Sequence, residues 1–344
     1  MNYKKKLLIT LPSYNRCELL KIQLEKLIIL KENSTIDIDI FVFNNGSTDN
    51  TEDILADYPN DKITIIKNDK NKNWGPLITQ ISSFIKSKSP HYDYFWILSD
   101  DDFIFEKELV NFFNQINEDS TTESVYFLKS IKIAHNGKKV VRPVVNQGLY
   151  ETINDSLLIS TIIYPTKNIF KYFDIYFEKF KENDFAHASF ILSCLKTNKN
   201  IQISENILFT ENNNFIWNNS LYKCFYKDRV AILKELDKIL SQKQSRRHII
   251  GTTNFFIQRS IIWFYFYNIK DKDSDIRKMI WSSLKDWNFN FKSIIIYFIY
   301  FIHSIIKKTT LAKKLFLKIY KYEKEAKNLN DLFVEKNKTL SEYI

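Results

Sequence analysis

The 344-residue sequence predicts an α/β chain: a Rossmann-like, mostly parallel central sheet with flanking helices, followed by a C-terminal helical region. Three observations predict it. Strand and helix signals alternate from Lys6 to Ile116, the pattern of a parallel sheet covered on both faces. Polar, chemistry-bearing segments fall at the carboxyl ends of the strand signals. From about Phe215 onward strand signals are few, and Gly and Pro almost vanish. The expected division is residues 1–214 as the α/β domain and 215–344 as a basic, aromatic-rich helical domain.

Each element has its own warrant. Lys6–Leu11 is a short apolar run stopped by Pro12, which reads as a buried strand. Glu18–Leu30 places Leu20, Leu24, Leu27 and Ile28 on one helical face. Ile36–Phe43 is a second strand, closed by the turn residues Asn44-Asn45-Gly46. Thr51–Ala56 reads as a short helix, Lys62–Lys67 as a third strand and Leu77–Ile85 as a helix. Tyr94–Leu98 is a fully apolar fourth strand that runs into three aspartates, and Leu109–Ile116 is helical again. The middle, about Val125 to Phe209, mixes short strands with loops. Asn136-Gly137 predicts a hairpin between Ser130–Ala134 and Lys139–Val145. Asp184–Leu195 reads as a helix with Asp184 at its N-cap. Helices are expected over 226–242, 253–268, 276–287, 293–306 and 311–327.

Composition excludes several classes. The chain is 44% hydrophobic and 15% aromatic, which rules out disorder throughout, and five Gly with six Pro rule out collagen-like architecture. Cys17, Cys194 and Cys224 lie far apart and make neither a disulfide framework nor a Cys-x-x-Cys metal site, so a reducing, cytoplasmic setting is expected. The apolar run behind Lys4-Lys5-Lys6 ends at Pro12, too soon for a signal peptide. The longest uncharged run, 293–306, is 14 residues, short of the ~18 a membrane span needs. Charge is uneven: residues 1–214 carry 25 Lys+Arg against 28 Asp+Glu, and residues 215–344 carry 25 against 12. The C-terminal third therefore implies an anionic partner.

Four segments carry chemistry. Asp100-Asp101-Asp102 follows the apolar strand, and three adjacent carboxylates repel one another unless a cation such as Mg²⁺ or Mn²⁺ joins them; the bland alternative is an acidic turn. Asn44 to Asp49 ends strand two, Pro12-Ser13-Tyr14-Asn15-Arg16 ends strand one, and Asn73-Trp74-Gly75 follows strand three. Each alone reads as an ordinary turn or strand-to-helix loop.

Taken together and in order, the four resemble family 2 glycosyltransferases of the GT-A fold, over roughly residues 5–110 well and 125–210 loosely. Pro12-x-Tyr14-Asn15-Arg16 is similar to that family's opening Pro-x-Tyr-Asn-Arg. Asn44–Asp49 is similar to its Asp-Asp/Asn-Gly-Ser-Thr-Asp, and Leu98–Asp102 to its Leu-Asp-x-Asp-Asp. The resemblance implies a nucleotide-diphosphate sugar donor, with uridine the first choice of base. It implies donor contacts from Pro12, Tyr14, Asn15, Arg16, Asn44, Asn45, Gly46, Asp49, Asn73, Gly75 and Asp100, and a Mn²⁺ or Mg²⁺ held by Asp101 with Asp102. Two positions depart from the pattern. Asn44 stands where an Asp meets the uracil imide, and an amide can accept or donate, so cytosine stays open. Ser99 stands where the first Asp of Asp-x-Asp falls, which leaves the offset pair Asp100-x-Asp102 as an alternative.

The resemblance also implies inversion at the anomeric carbon, with a carboxylate base in an acidic motif before a helix. Glu182-Asn183-Asp184 fits, with Asp184 first and Glu182 in reserve; an ordinary N-cap is the other reading of Asp184. His187, one turn on, reads as a core histidine or as a second group facing the same pocket. The four other histidines make no metal spacing.

In the C-terminal third, Leu311, Leu315 and Ile319 form an apolar stripe among Lys307, Lys308, Lys313, Lys314, Lys318 and Lys321. That is a basic amphipathic helix, suited to lying on an anionic membrane or to packing on the catalytic domain with its Lys face in water. With no nucleic-acid fold signature beside it, nucleic acid is not expected as a partner. The expected function is transfer of a sugar to a glycan or lipid-linked glycan acceptor of a bacterial surface polysaccharide. The expected place is the cytoplasm, peripheral at the inner membrane face. A non-catalytic scaffold of a glycan assembly complex is the alternative, resting on Ser99.

Overall fold

The computed structural model describes residues 4–119, 123–133, 139–143, 149–155, 157–197, 199–210, 223, 227–241, 244–250, 273–285, 294 and 297. The Asn136-Gly137 turn, the expected helices at 253–268 and 311–327 with the Lys-rich stripe, and nearly all of 293–306 lie outside them. The chain divides into two compact units, residues 1–132 with 140–212, and residues 133–139 with 213–344.

The first unit is built on β1 (Lys6–Ser13), β2 (Asp37–Asn44), β3 (Thr64–Lys67) and β4 (Tyr94–Ile97), all parallel, in the order β3-β2-β1-β4. The sheet continues through β8 (Ile162–Pro165), β6 (Val125–Ile133), β9 (Ile201–Thr210) and β5 (Phe103–Ile104), with β7 (Lys139–Arg142) paired to β6. β8 runs antiparallel to both β4 and β6, β9 parallel to β6, and β5 antiparallel to β9.

Alternation along the strands sets the layers. Leu7, Ile9 and Leu11 of β1, Ile38, Ile40 and Val42 of β2, and Tyr94 and Trp96 of β4 face one apolar cluster. The same cluster holds Leu20, Leu24, Leu27 and Leu30 of α1 (Cys17–Asn33), Leu55 of α2 (Thr51–Ala56), and Leu109, Phe113 and Ile116 of α4 (Glu106–Glu118). These are the i, i+3, i+4 faces that the apolar spacing predicts. On the other face, Phe84 of α3 (Trp74–Lys88) meets the rings of Phe41 and Phe43 at 4.8 and 5.5 Å. There too Phe190 of α7 (Ala188–Lys196) packs on Phe95 at 4.8 Å and stacks on Phe173 of α6 (Phe170–Phe180) at 4.4 Å. Helices thus cover both faces. The remaining helix of this unit is α5 (Leu149–Asp155).

Three expectations are corrected. β1 does not stop before Pro12 but runs through it to Ser13, with Pro12 opposite Phe43. Thr10 accepts from Leu98 on the β4 side and Ser13 accepts from Asn45 on the β2 side. By alternation the missing N–H of Pro12 faces the β4 side, where pairing ends at Thr10, and the ladder to β2 on the other side continues to Ser13. α7 begins at Ala188, not Asp184. The Asn183 side chain accepts the Phe185 N–H at 2.7 Å and holds 183–187 in turns, which delays the helix. Third, the middle is more regular than expected, supplying α6, β8 and β9.

In the second unit, helices span Arg229–Ile239, 245–250 and Asp273–Lys285. Asp237 accepts the backbone N–H groups of Gln244 and Ser245 at 2.9 and 3.1 Å, fastening the first of these to the second. Among the described residues no helix is long and apolar enough to cross a membrane.

Candidate functional site

Strand order reverses at β1: β2 and β3 lie to one side of it and β4 to the other. A crevice opens outside the carboxyl ends of the strands at such a switch point, and ligands of open α/β sheets bind there. Ser13, Asn44 and the segment after β4 all end at this place.

The loops beyond these ends are fastened to each other. Asn15 takes the left-handed conformation at φ 52°, which Asn tolerates better than most residues. Its Oδ1 accepts the Thr48 N–H at 2.7 Å, and its own N–H donates to Ser47 Oγ at 3.1 Å. Asp49 accepts the Cys17 N–H, at the first turn of α1, at 3.1 Å, and the Thr51 hydroxyl at 2.6 Å. Burial alone would raise the Asp49 pKa, but these hydrogen bonds outweigh it and hold the carboxyl below its usual range. Asn45 is fully committed. Its Nδ2 donates to Asn71 Oδ1 at 2.9 Å and to the Lys72 carbonyl at 2.8 Å, while its Oδ1 accepts from Asn68 Nδ2 at 3.1 Å and the Lys72 N–H at 3.0 Å. Gly46, at φ +73°, lets the loop approach that same segment; a Cβ there would lie 2.4 Å from the carbonyl carbon of Lys70. Asn15, Asn45, Gly46 and Asp49 therefore shape the crevice. Pro12 is buried in β1, and Tyr14 is 40% exposed at its tip.

On the β4 side stand the carboxylates. One Arg16 guanidinium nitrogen lies 2.8 Å from Asp100 Oδ1 and 2.8 Å from Asp101 Oδ2. The Asp100 side chain is 3% exposed and that of Asp101 17%. Burial pushes the Asp100 pKa up; Arg16 opposes this, Asp101 adds to it, and the balance falls at about 6. Asp100 Oδ2 is buried without a well-formed hydrogen bond, although the Ser13 hydroxyl lies near enough to favour the carboxylate. The Ser99 hydroxyl donates to Asp101, and the Ser99 N–H donates to Ser160 at 2.9 Å. Asp102 is buried, and its carbonyl accepts from the buried Gln23 of α1 at 2.9 Å. Among the described residues no three His, Cys, Asp or Glu side chains converge as a metal site. The pair Asp100–Asp101 already gathers round one positive group, and a buried oxygen of Asp100 is left over. The carboxylate oxygens are of the hard type that Mg²⁺ or Mn²⁺ takes.

The third part of the site comes from α3 and the turn after α6. Gly75 sits so close to this turn that a Cβ would lie 2.5 Å from the Lys181 carbonyl oxygen. This contact packs the start of α3 on the backbone at Lys181, one residue before Glu182 and three before Asp184. Glu182 is exposed and Asp184 half-buried. Trp74 meets the ring of His187 edge-on at 6.1 Å. His187 Nε2 is 2.9 Å from the Leu157 carbonyl; a carbonyl only accepts, so Nε2 carries the proton. Burial lowers the His187 pKa to about 4, the Leu157 bond opposing only in part, so the ring is neutral. Sequence reasoning singled out Gly75 but not the contact that explains it, which joins residues 106 positions apart. It missed Gln23 and Ser160, whose partners are likewise non-local.

A family model described as glycosyl transferase family 2 matches residues 8–192. An uncharacterized glycosyltransferase of Mycoplasma genitalium, MG025, is 29% identical over 109 residues, 30% of this chain and 35% of that one. The solved structure of S. aureus TarS superposes with a TM-score of 0.52 at 18% identity, over 85% of this chain and 50% of TarS. The chain thus spans about a third of the first relative's length and half of TarS, and the TarS likeness concerns the fold.

Proposed function

The chain belongs to glycosyl transferase family 2, and on that premise we propose that it is an inverting, divalent-metal-dependent glycosyltransferase. It moves a sugar from a nucleotide-diphosphate sugar to a hydroxyl of a growing bacterial surface glycan, such as lipopolysaccharide, capsule or glycolipid. The observation that carries this reading is the Arg16 guanidinium held between Asp100 and Asp101 beyond the carboxyl end of β4, beside the switch point at β1.

The roles follow from charge and position. Tyr14 and Asn44, on the β2 side, meet the nucleoside, while Arg16 and the aspartates meet the diphosphate. Asn73 and Gly75 form the ledge that places the sugar beside the turn at 182–184. Asp101 and Asp102 would hold a Mn²⁺ or Mg²⁺, which supplies charge to stabilise the departing diphosphate. Arg16 leaves the carboxylates for the phosphates as the donor binds. Asp184 takes the proton from the acceptor hydroxyl as its oxygen attacks the anomeric carbon, with Glu182 in reserve. His187, neutral and hydrogen-bonded to Leu157, supports that turn and does not transfer the proton. The basic C-terminal third suits an acceptor carried at an anionic membrane face.

Donor hydrolysis and transfer tests this reading. Wild type should release nucleoside diphosphate only with a divalent cation, and Asp184→Asn should abolish transfer yet keep donor binding. Near-wild-type transfer by Asp184→Asn would remove the base assignment.

A further inference from the structure

The switch point at β1 has two sides. On the β4 side Arg16, Asp100 and Asp101 meet. On the β2 side one side chain has its chemistry dictated by its neighbours. Asn44, the last residue of β2, is 1% exposed. Its Oδ1 accepts the Ser47 backbone N–H at 3.0 Å. A backbone N–H can only donate, so the amide cannot be turned round. Its oxygen is spent on the loop, and the edge left over is the –NH₂. That nitrogen has no partner among the described residues. The loop is rigid behind it, because Ser47 Oγ accepts from Asn15 and the Asn44 carbonyl accepts the Asn68 N–H at 2.9 Å.

The other polar residues on this side are committed. Asn45 uses both edges of its amide on 68–72, Asn15 is bonded to 47–48, and Asp49 to Cys17 and Thr51. Asn44 alone among these keeps a fixed, neutral donor; it pairs in register with Ser13, the residue before Tyr14, which is 40% exposed. An amide that donates to a base edge and an aromatic ring that stacks on its face are the chemistry by which single bases are recognised.

We propose that Asn44 selects the donor's base by donating a hydrogen bond to it, so that the nucleotide is a cytidine diphosphate rather than a uridine diphosphate. The inference rests on the nucleotide-sugar reading above and sharpens it. The two pyrimidines differ at N3. Uracil carries an N–H there, and cytosine a lone pair. An aspartate at this position would keep the Ser47 bond with one oxygen and offer the other as an acceptor to uracil N3–H. The asparagine keeps the same bond and offers an N–H instead. Against uracil that sets two donors face to face, with a buried group left unpaired; against cytosine it makes a hydrogen bond. Sites built to hydrogen-bond one partner reject the other because the buried group goes unsatisfied.

The test is calorimetric titration of the full chain, with Mn²⁺ present, by CDP, UDP, GDP, ADP and 3-deazacytidine diphosphate. CDP is expected to bind about tenfold or more tighter than UDP. 3-Deazacytidine diphosphate, which has C–H in place of the N3 lone pair, should lose that advantage. Asn44→Asp, checked for an unchanged melting temperature, should reverse the order of CDP and UDP. UDP binding as tightly as CDP overturns the inference and leaves the glycosyltransferase reading standing. So does tighter binding of GDP or ADP, or full affinity for the deaza analogue. Absence of binding by every nucleotide removes the donor reading as well. The wild-type ratio and the deaza analogue need no variant, so a misfolded Asn44→Asp would not spare the proposal.

Discussion

Gly75→Ala probes the contact that joins α3 to the turn after α6. The new Cβ would stand 2.5 Å from the Lys181 carbonyl oxygen, whereas ordinary contact begins at 3.4 Å. The neighbour is backbone, so no rotamer change relieves it. The two segments must part by about 0.9 Å, the gap between those distances. Overpacking of this sort costs roughly 1–3 kcal/mol, which a thermal melt reads as a lower Tm. The functional loss should be larger. A displacement near 1 Å in a positioning group costs on the order of 100-fold in rate, and Asp184 lies three residues beyond Lys181. We expect kcat to fall by about that factor while nucleotide affinity, set at the ends of β1 and β2, is nearly unchanged. Steady-state transfer kinetics beside nucleotide titration separates the two. A variant with wild-type kcat and a clearly lowered Tm would show that the contact is structural only and does not position Asp184.

Other residues give sharp expectations. His187 is held neutral by burial with a pKa of about 4, against 6.5 for the free side chain. Its contribution to stability is complete above pH 6.5 and is lost as pH falls towards 4, by about 3 kcal/mol in all. Urea unfolding at pH 7 and pH 4.5 should show that loss shrinking in His187→Gln; equal pH sensitivity in both proteins would contradict the burial argument. Asp49→Ala removes the acceptor for the first-turn N–H of α1 and for Thr51, and should cost about 1–2 kcal/mol. The same unfolding assay checks it, and a change below about 0.3 kcal/mol would deny Asp49 its bracing role.

Much of the first unit was legible because its signals are local. The 3.6-residue stripe of α1 and the apolar run of β4 need no distant partner to be read. Thr51–Ala56 coincides with α2. What escaped depends on contacts between distant residues. β1 passes through Pro12 because its pairing with β2 runs on to Ser13 without needing the proline N–H, which only the register reveals. β8 follows the apolar stretch from Leu157, whose short run does not distinguish strand from helix. The start of α7 turns on the side chain of Asn183 bonding two residues ahead, a competitor to the cap expected at Asp184. At the site, the motifs marked the right loops without separating roles within them. Asn44 and Asn45 are neighbours of one residue type, yet one is spent wholly on 68–72 and the other keeps a free edge.

The proposed donor site puts a nucleoside diphosphate at the β1 switch point, beside Arg16 and the aspartates. A thermal-shift series on the full chain tests it most directly, using nucleoside diphosphates with Mn²⁺, with EDTA, and with Asp101→Ala. A ligand that binds only the folded state raises Tm by mass action, by about 2.7 kcal/mol of stability at a hundredfold excess over Kd. A rise is expected for at least one nucleotide, one that needs Mn²⁺ and disappears in Asp101→Ala, whose own Tm stays near wild type. A rise that survives both EDTA and Asp101→Ala would contradict it, as would no rise with any nucleotide.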